Sequence, residues 1–408
     1  MKGRRELLAA SGAAAVAASL PMPAIGQANP VRIGLLTVKT GPLAQGGIQM
    51  EQGITLFLKH RGNKLAGRAT ELLVADTGGN PAGTKTKAQE LIERDHVDFI
   101  VGPLAAFELL AISDYAARHK CPILSQAAAE DMTQRKPNPY FIRTSGTSAQ
   151  PMHPLADYAR KELKYQNVIT VANDFAYGYE QVGGFQRVFE DAGGHVRAKL
   201  WPPLVTPDYT PFIGQMTSVD AIVSGLGGSN PVKFMRQYKD AGITLPLLGG
   251  GVAMDDGLLK SFGDEAIGVI SCAGYTADLN TPSNRRFVED SVRDYGGIPG
   301  SYASGLYTNG QVAEAALEQI GGNTDNKEAF IAAMRAVTLT DTPRGPFHFD
   351  RFGNVVGDFF IRRCEKQDGK LVNTTIKTYN SVSQFWTYDE SWFLSQPVYS
   401  RDYPPLKT

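Results

Sequence analysis

The chain has 408 residues, of which 42% are hydrophobic and 20% are charged, and its formal net charge is zero. This length exceeds the usual size of a single domain, about 100–200 residues, so two domains are expected. A neutral chain without a clustered basic face gives no electrostatic reason to bind nucleic acid, and we predict that it binds none.

The first residues have the pattern of an export signal. Three basic side chains precede an apolar stretch from Leu7 to Leu20, and Gly26-Gln27-Ala28 offers the small-residue pattern of a signal-peptidase site. We therefore predict a signal peptide over residues 1–28 and a mature protein in the periplasm. The pair Arg4-Arg5 is typical of a twin-arginine signal but fits an ordinary secretion signal equally well, so the export route stays open.

Strands and helices alternate from residue 31 onward. Short apolar runs predict buried strands, and the segments between them have helical spacing. In chain order these are strand Val31–Leu36, helix Ile48–Arg61, strand Glu71–Ala75, helix Pro81–Arg94, strand Val97–Val101, helix Ala105–His119 and strand Pro122–Ser125. Continuously apolar strands between helices indicate βαβ units and a parallel sheet covered on both faces.

The same alternation restarts downstream. It comprises helix Met152–Leu163, strand Val168–Ala172, helix Tyr179–Ala192, strand Val196–Leu200, strand Ala221–Val223, helix Pro231–Ala241 and strand Leu245–Leu248. The strand Val97–Val101 matches Val219–Val223, and each is followed by a helix and a Pro-led strand. Chance similarity of generic strand–helix–strand units is one explanation of this repeat; we favour two α/β lobes of similar Rossmann-like design.

This architecture predicts where a ligand binds. In open parallel sheets, ligands bind at the carboxyl ends of the strands, where loops and helix N-termini converge. Two such sheets facing each other form a cleft that a small molecule can bridge, and hinge closure would bury that molecule. The loops at these strand ends are small, apolar and hydroxyl-bearing, which suits a shaped pocket with few polar anchors.

The strand-end loops have no catalytic signature. The run Gly225-Leu226-Gly227 lacks the third glycine of a dinucleotide fingerprint, and neither a Gly-x-Ser-x-Gly elbow nor a Walker-type Gly-Lys-Ser occurs. The three cysteines, Cys121, Cys272 and Cys364, and the six histidines are too scattered for a zinc site. We therefore expect no enzyme activity, no metal and no cofactor.

Several stretches together resemble the branched-chain-amino-acid-type periplasmic binding proteins (type I), which are the receptors of ABC importers. They are Thr40–Ala44, Val101–Pro103, Phe141–Thr144, Phe175–Gly178 and Gly345–Asp350. The resemblance covers nearly all of the mature chain. No single stretch is decisive, but their order and spacing, taken together, are specific for this family.

The resemblance implies two lobes joined by three hinge crossings, near Thr144–Ser148, Tyr275–Asp278 and Thr340–Gly345. The first lobe would then comprise residues 29–146 and 277–342. The second would comprise residues 147–276 and 343–408, including a tail rich in aromatic residues. The protein would be a monomer that captures a small organic solute and delivers it to the permease of an ABC importer.

The anchors for an amino acid are missing. In amino-acid receptors of this family a Ser and a Thr hold the carboxylate and the amine, and a Glu neutralises the ammonium. Ala106, Ala129 and Gly250 stand at these places here. Burying an ammonium without a counter-charge costs several kcal/mol, which disfavours a free α-amino acid. The segments Asn280–Phe287 and Gly345–Asp350 resemble those of related receptors for aromatic acids. This resemblance favours an aromatic or other apolar carboxylate as the ligand.

The predicted ligand-binding residues lie mainly in the strand-end loops. They are Leu43, Ala44, Leu104, Ala105, Ala106, Phe107, Ser125, Gln126, Ala127, Ser148, Phe175, Tyr177, Leu226, Gly250 and Tyr275. The serines, together with Ser224 and Ser229, could orient a carboxylate or amide, and the aromatic residues could form walls or belong to the lobe cores. An amino-acid or amide receptor and a ligand sensor of the same fold remain the alternatives.

The tail from Lys377 to Thr408 carries eight aromatic side chains. So much apolar surface is rarely left exposed. We expect the tail to wrap back on a lobe; dimerisation and membrane docking are the alternatives.

Overall fold

The computed structural model describes residues 29–407, so the predicted signal peptide and its cleavage site lie outside the described residues. The first sheet contains strands β1 (Val31–Thr37), β2 (Lys64–Leu65), β3 (Arg68–Asp76), β4 (Phe99–Val101), β5 (Ile123–Ser125) and β6 (Phe141–Arg143). Their order is β2-β3-β1-β4-β5-β6. Neighbours are parallel except for the short hairpin of β2 with β3. The predicted strands are therefore present, in the predicted parallel arrangement.

The second sheet has nine strands: β7 (Asn167–Ala172), β8 (His195–Leu200), β9 (Ala221–Gly225), β10 (Leu247–Gly250), β11 (Ile270–Ala273), β12 (Thr338–Leu339), β13 (Phe347–Phe349), β14 (Val355–Gln367) and β15 (Lys370–Val382). Strands β8-β7-β9-β10-β11 are parallel. Strand β14 runs antiparallel to β11, β13 and β15. This sheet thus contains the predicted parallel strands and, in addition, antiparallel strands that the sequence did not indicate. The β14–β15 turn at Asp368-Gly369, both at positive φ, forms a tight hairpin, which is necessarily antiparallel.

The helices cover the faces of the sheets. They are α1 (Ala44–His60), α2 (Pro81–Gln89), α3 (Ala106–Arg118), α4 (Met152–Lys161), α5 (Ala176–Asp191), α6 (Thr210–Ile213), α7 (Asn230–Asp240), α8 (Pro282–Tyr295), α9 (Ser301–Gln319), α10 (Lys327–Ala336) and α11 (Glu390–Ser395). Helices α1 and α5 begin a turn earlier than predicted, which brings their first residues to the strand ends. No helix within residues 29–407 is long and apolar enough to cross a membrane.

Separate hydrophobic cores make two lobes. One pair of clusters surrounds the first sheet, with Phe57, Phe99 and Phe330 fully buried, and another pair surrounds the second sheet. The chain passes between the two lobes at residues 144–151 and 274–281, and it enters the second sheet again at β12, after α10. The first two connections lie where the resemblance implied crossings, whereas residues 340–346 connect β12 to β13 within the second sheet.

The C-terminal tail packs on the second lobe. Phe385, Phe393 and Tyr399 form a buried cluster with Ala149 and Phe352. The guanidinium carbon of Arg187 on α5 lies 5.3–5.7 Å from the ring centroids of Trp392, Phe393, Tyr399 and Tyr403, which is within cation–π range. The tail therefore wraps back on a lobe, as expected.

Candidate ligand-binding site

A cleft opens between the carboxyl ends of the two sheets. It contains about 800 Å³ of space, part of it open to solvent. Its lining comes from both lobes and from the crossings between them: Leu43, Leu104, Ala105, Ala106, Gln126, Ala128, Ser145, Gly146, Thr147, Ser148, Pro151, Phe175, Tyr177, Gln181, Leu204, Gly227, Gly228, Gly251, Val252, Ala273, Gly274, Ser301, Tyr302 and Phe359. These lining residues include no Asp, Glu, Lys, Arg or His, so the cleft itself offers no acid to neutralise an ammonium.

The lobes touch each other around this cleft. The backbone N–H of Ser229, after β9, donates to the carbonyl of Pro42, after β1, at 3.0 Å. The rings of Phe107 and Phe175 meet edge to face across the gap, with centroids 5.6 Å apart. The lobes are therefore in contact on both sides of the cleft, which is the closed arrangement.

Aromatic side chains at the start of α5 form one wall. The rings of Phe175 and Tyr177 are stacked, with centroids 6.0 Å apart and planes at 28°. Burial raises the pKa of the Tyr177 hydroxyl above its usual value, so it remains protonated and can donate. It has no hydrogen-bond partner among residues 29–407.

Gln181 lies one helical turn beyond Tyr177, on the same face of α5. Its Nε2 donates to the carbonyl of Ser148 at 2.7 Å, whereas its Oε1 has no partner within the described chain. A β-carbon at Gly251 would lie 2.9 Å from Gln181 Nε2 and 3.2 Å from the Tyr177 hydroxyl. The Tyr177 hydroxyl and Gln181 Nε2 therefore both lie beside Gly251, whereas Gln181 Oε1 lies beside Gly250, 2.1 Å from the position of a β-carbon there.

Eight of the predicted site residues line the cleft: Leu43, Leu104, Ala105, Ala106, Gln126, Ser148, Phe175 and Tyr177. Seven do not: Ala44, Phe107, Ser125, Ala127, Leu226, Gly250 and Tyr275. Phe107 packs behind Phe175, and Ala44 is already the first residue of α1.

Four of the other five residues are Ser125, Ala127, Leu226 and Tyr275. The Ser125 hydroxyl donates to the Pro103 carbonyl at 2.7 Å and accepts from Ala127 N–H at 2.9 Å, and Ala127 is fully buried. Leu226 belongs to the core of the second lobe. The ring of Tyr275 packs against that of Phe287, with centroids 6.2 Å apart, and Tyr275 lines a smaller cavity beside the cleft. A position at a strand end therefore did not ensure that a side chain lines the cleft.

Gly250 is the last residue of β10, and it faces its own lobe. A β-carbon there would lie 2.1 Å from both Gln181 Oε1 and Met152 Sδ. The space beside Gly250, where the resemblance placed the Glu of amino-acid receptors, is therefore filled by two side chains of the lobe.

Some of the lining residues missed by sequence reasoning come from the connections between the lobes and from α9: residues 145–147 were predicted as hinge, and Ser301 and Tyr302 follow no predicted strand. Others, such as Ala128 and Gly251, lie in the strand-end loops beside residues that were predicted. The spacing of Gln181, four residues after Tyr177, was a further usable signal.

A buried polar network supports the floor of the cleft. The Glu180 carboxylate on α5 accepts from the backbone N–H groups of Ala129, at 3.3 Å, and Glu130, at 3.0 Å. Arg143 donates to the Ala129 carbonyl at 2.7 Å. Burial, reinforced by the nearby Glu180 charge, raises the pKa of Glu130 to about 8. The network holds the loop after β5 against the second lobe.

Two α/β lobes closed over an uncharged cleft at their strand ends define a receptor for a small solute. Comparison with known proteins agrees. A family model described as "Periplasmic binding protein" matches residues 30–370. The chain therefore belongs to the periplasmic binding protein family, and the family resemblance inferred from the sequence is confirmed.

Solved and curated relatives cover most of the chain. A solute-binding protein of an ABC transporter from Rhodopseudomonas palustris BisB5, in complex with 3,4-dihydroxybenzoic acid, is 32% identical, with a TM-score of 0.83 over 87% of this chain and 98% of that chain. Another from R. palustris, in complex with 4-hydroxybenzoate, is 28% identical, with a TM-score of 0.82 over 88% and 99%. The Leu/Ile/Val-binding protein homolog 6 of Brucella melitensis is 28% identical over 86% of this chain and 92% of its own length. The protein is a solute-binding protein of the class that serves ABC transporters.

Proposed function

We propose that this protein is the periplasmic receptor for an aromatic carboxylate, which it captures as a monomer and delivers to the permease of an ABC importer. In this proposal residues 29–146 with 277–342 and residues 147–276 with 343–408 are the closing lobes. The protein acts by binding alone and returns its ligand chemically unchanged.

The observation that carries the proposal is the chemistry of the cleft lining. The stacked rings of Phe175 and Tyr177 and the small side chains of Ala105 and Ala106 suit a flat aromatic ring. The lining has no carboxylate for an ammonium, and Gly250 leaves no room for one. An amino acid would therefore bury its ammonium unpaired, at a cost of several kcal/mol.

The ligands of the two R. palustris relatives support the same class. Both are hydroxybenzoates. The Tyr177 hydroxyl lies beside Gly251 at the cleft and has no partner within residues 29–407. It would suit a ring hydroxyl, because each of these hydroxyl groups can both donate and accept a hydrogen bond.

The test is a thermal-shift and calorimetric screen of ligand-stripped mature protein. The panel comprises benzoate, 4-hydroxybenzoate, 3,4-dihydroxybenzoate, leucine and an aliphatic acid. A ligand at 100 times its Kd adds about 2.7 kcal/mol of stability, which raises Tm by several degrees. Stabilisation by aromatic acids, recovered unchanged, supports the proposal; stabilisation by leucine alone would contradict it.

A further inference from the structure

A second, smaller cavity lies at the hinge beside the main cleft. It contains about 280 Å³ of space and shares Gln126, Ser145, Gly274 and Ser301 with the lining of the cleft. Its wall takes residues from three connecting segments: Thr144 from residues 144–151, Tyr275 from residues 274–281 and Arg344 from the connection between β12 and β13. Arg344 is the only Asp, Glu, Lys, Arg or His in the lining of either cavity.

The Arg344 guanidinium is buried without a counter-ion. Only 3% of the residue is exposed. Nη1 donates to the carbonyl of Thr144, while Nε and Nη2 have no hydrogen-bond partner among residues 29–407. The acid whose charge affects the pKa of Arg344 is Asp358. Asp358 does not pair with the guanidinium; its carboxylate accepts a hydrogen bond from the Ser381 N–H at 3.0 Å.

The two fully buried arginines have acidic neighbours. Arg362 pairs with Asp256 at 2.8 Å, and Arg143 lies beside the carboxyl groups of Glu130 and Glu180. Arg344 instead has aromatic neighbours, with its guanidinium carbon 5.6 Å from the ring centroid of Phe347 and 5.9 Å from that of Phe359. Arg187, a fourth buried arginine, also has no ion pair within residues 29–407, but its Nε and Nη2 donate to the hydroxyls of Tyr399 and Tyr403. Among these four buried arginines, Arg344 alone leaves both Nε and Nη2 without a partner in the described chain.

A buried charge of this kind is costly unless it is paired. Burial lowers the pKa of Arg344 to about 10, so the group still carries its charge at neutral pH. A guanidinium with two free N–H directions matches a carboxylate, which it can bind through parallel hydrogen bonds. The hydroxyls of Tyr275 and Ser301, also without partners in the part of the chain described, line the same cavity and can donate to the same anion.

We propose that Arg344 anchors the carboxylate of the ligand in this hinge cavity, with the aromatic ring lying in the main cleft beside Phe175 and Tyr177. The inference rests on the proposed function and makes it more specific, because it requires a ligand with an ionised acid group at one end. It also gives closure a driving force, since the anion would contact all three of these connecting segments.

The experiment compares an acid with its neutral amide. The probes are 4-hydroxybenzoate and 4-hydroxybenzamide, and the readout is Kd by calorimetry for the wild type, Arg344→Gln and the control Arg351→Gln. Arg351 is exposed and pairs with Glu390 on the surface. We expect the wild type to prefer the acid. Arg344→Gln should weaken binding of the acid at least about tenfold, as for loss of a hydrogen bond to a charged group, while amide binding changes little. Arg351→Gln should leave both affinities unchanged.

A purely structural role for Arg344 would reduce acid and amide binding equally, and that result overturns the inference while leaving the aromatic-acid receptor intact. A wild type that binds no aromatic acid overturns both. If Arg344→Gln does not fold, the same two affinities are measured for Arg344→Lys, which keeps the positive charge but loses the paired N–H groups. A loss for the acid alone supports the anchor, and an equal loss for both probes contradicts it.

Discussion

Asp255, in the second lobe, accepts a hydrogen bond from the backbone N–H of Ser301 at the start of α9 in the first lobe, with Oδ1 and N 2.7 Å apart. Its other oxygen accepts from Gln49 Nε2 of α1 at 3.0 Å. One carboxylate of the second lobe is thus held by two elements of the first. These bonds exist only while the lobes are together, because their partners lie on opposite sides of the cleft.

We therefore expect Asp255→Ala to shift the protein toward an open state. Hydrogen bonds to a charged group contribute about 1.5–3 kcal/mol, so ligand affinity should fall by about ten- to a hundredfold. Calorimetry measures the affinity, and small-angle scattering of the ligand-free protein should show a larger radius of gyration. Exposed Asp325→Ala serves as the control. Wild-type affinity and radius in Asp255→Ala would contradict a role in closure.

Tyr177→Phe tests the polar end of the cleft. The substitution keeps the ring stacked beside Phe175 and removes only the hydroxyl. We expect binding of 4-hydroxybenzoate to weaken by about threefold to tenfold, as for one neutral hydrogen bond, and binding of benzoate to stay the same. An equal loss for both ligands would show that the hydroxyl acts on the protein rather than on the ring substituent. Tyr177→Ala should weaken both, because it removes the wall itself.

Gly250 should tolerate no side chain. A β-carbon would come within 2.1 Å of Gln181 and Met152, and overpacking of this kind costs about 1–3 kcal/mol. We expect Gly250→Ala to lower Tm, and Gly250→Glu to lower it further and to weaken binding of a carboxylate ligand through charge repulsion. Gly297→Ala, where the nearest atom is Lys260 Nζ at 3.8 Å, is the matched control. Tighter carboxylate binding by Gly250→Glu would contradict the proposed ligand class.

The raised pKa of Glu130 leads us to predict that the stability of the protein depends on pH. Its pKa in the folded protein is raised to about 8 by burial, then by the Glu180 charge, whereas an unfolded Glu titrates near 4.3. The folded state therefore binds the proton more tightly, so this group's contribution to stability falls as pH rises from about 4.3 to about 8. The Glu130 carboxyl accepts a hydrogen bond from the Ala149 N–H at 3.0 Å. The variant Glu130→Gln keeps an oxygen that can accept this bond, but its side chain carries no charge.

The measurement is Tm against pH for the wild type and Glu130→Gln. At pH 5 the two should be similar, and the variant should gain stability over the wild type toward pH 8. Parallel curves across that range would show that Glu130 does not change protonation there. Glu265→Gln, at a partly exposed position, is the control for the loss of a charge.

The location of the cleft could be predicted from sequence, but its full lining could not. Phe175 and Tyr177 lie between a predicted strand and a predicted helix, so their place at the cleft follows from the rule for parallel sheets. Ser125 satisfies the same rule, yet its hydroxyl is held by Pro103 and Ala127. Side-chain direction at a strand end depends on the local turn, which apolar periodicity does not encode.

The amino-acid sequence by itself determined the two α/β lobes, the parallel strands and the missing acid at Gly250, because apolar periodicity and residue identity are local properties of the chain. Only the tertiary structure decided that β14 and β15 make the second sheet mixed. It also decided that Ser301 and Arg344, far apart in sequence, meet Thr144 and Gly274 at one cavity. The physical reason is that a charged side chain becomes a candidate anchor only when it is buried without partners. Whether it is buried in this way depends on how segments that are distant in sequence pack around it.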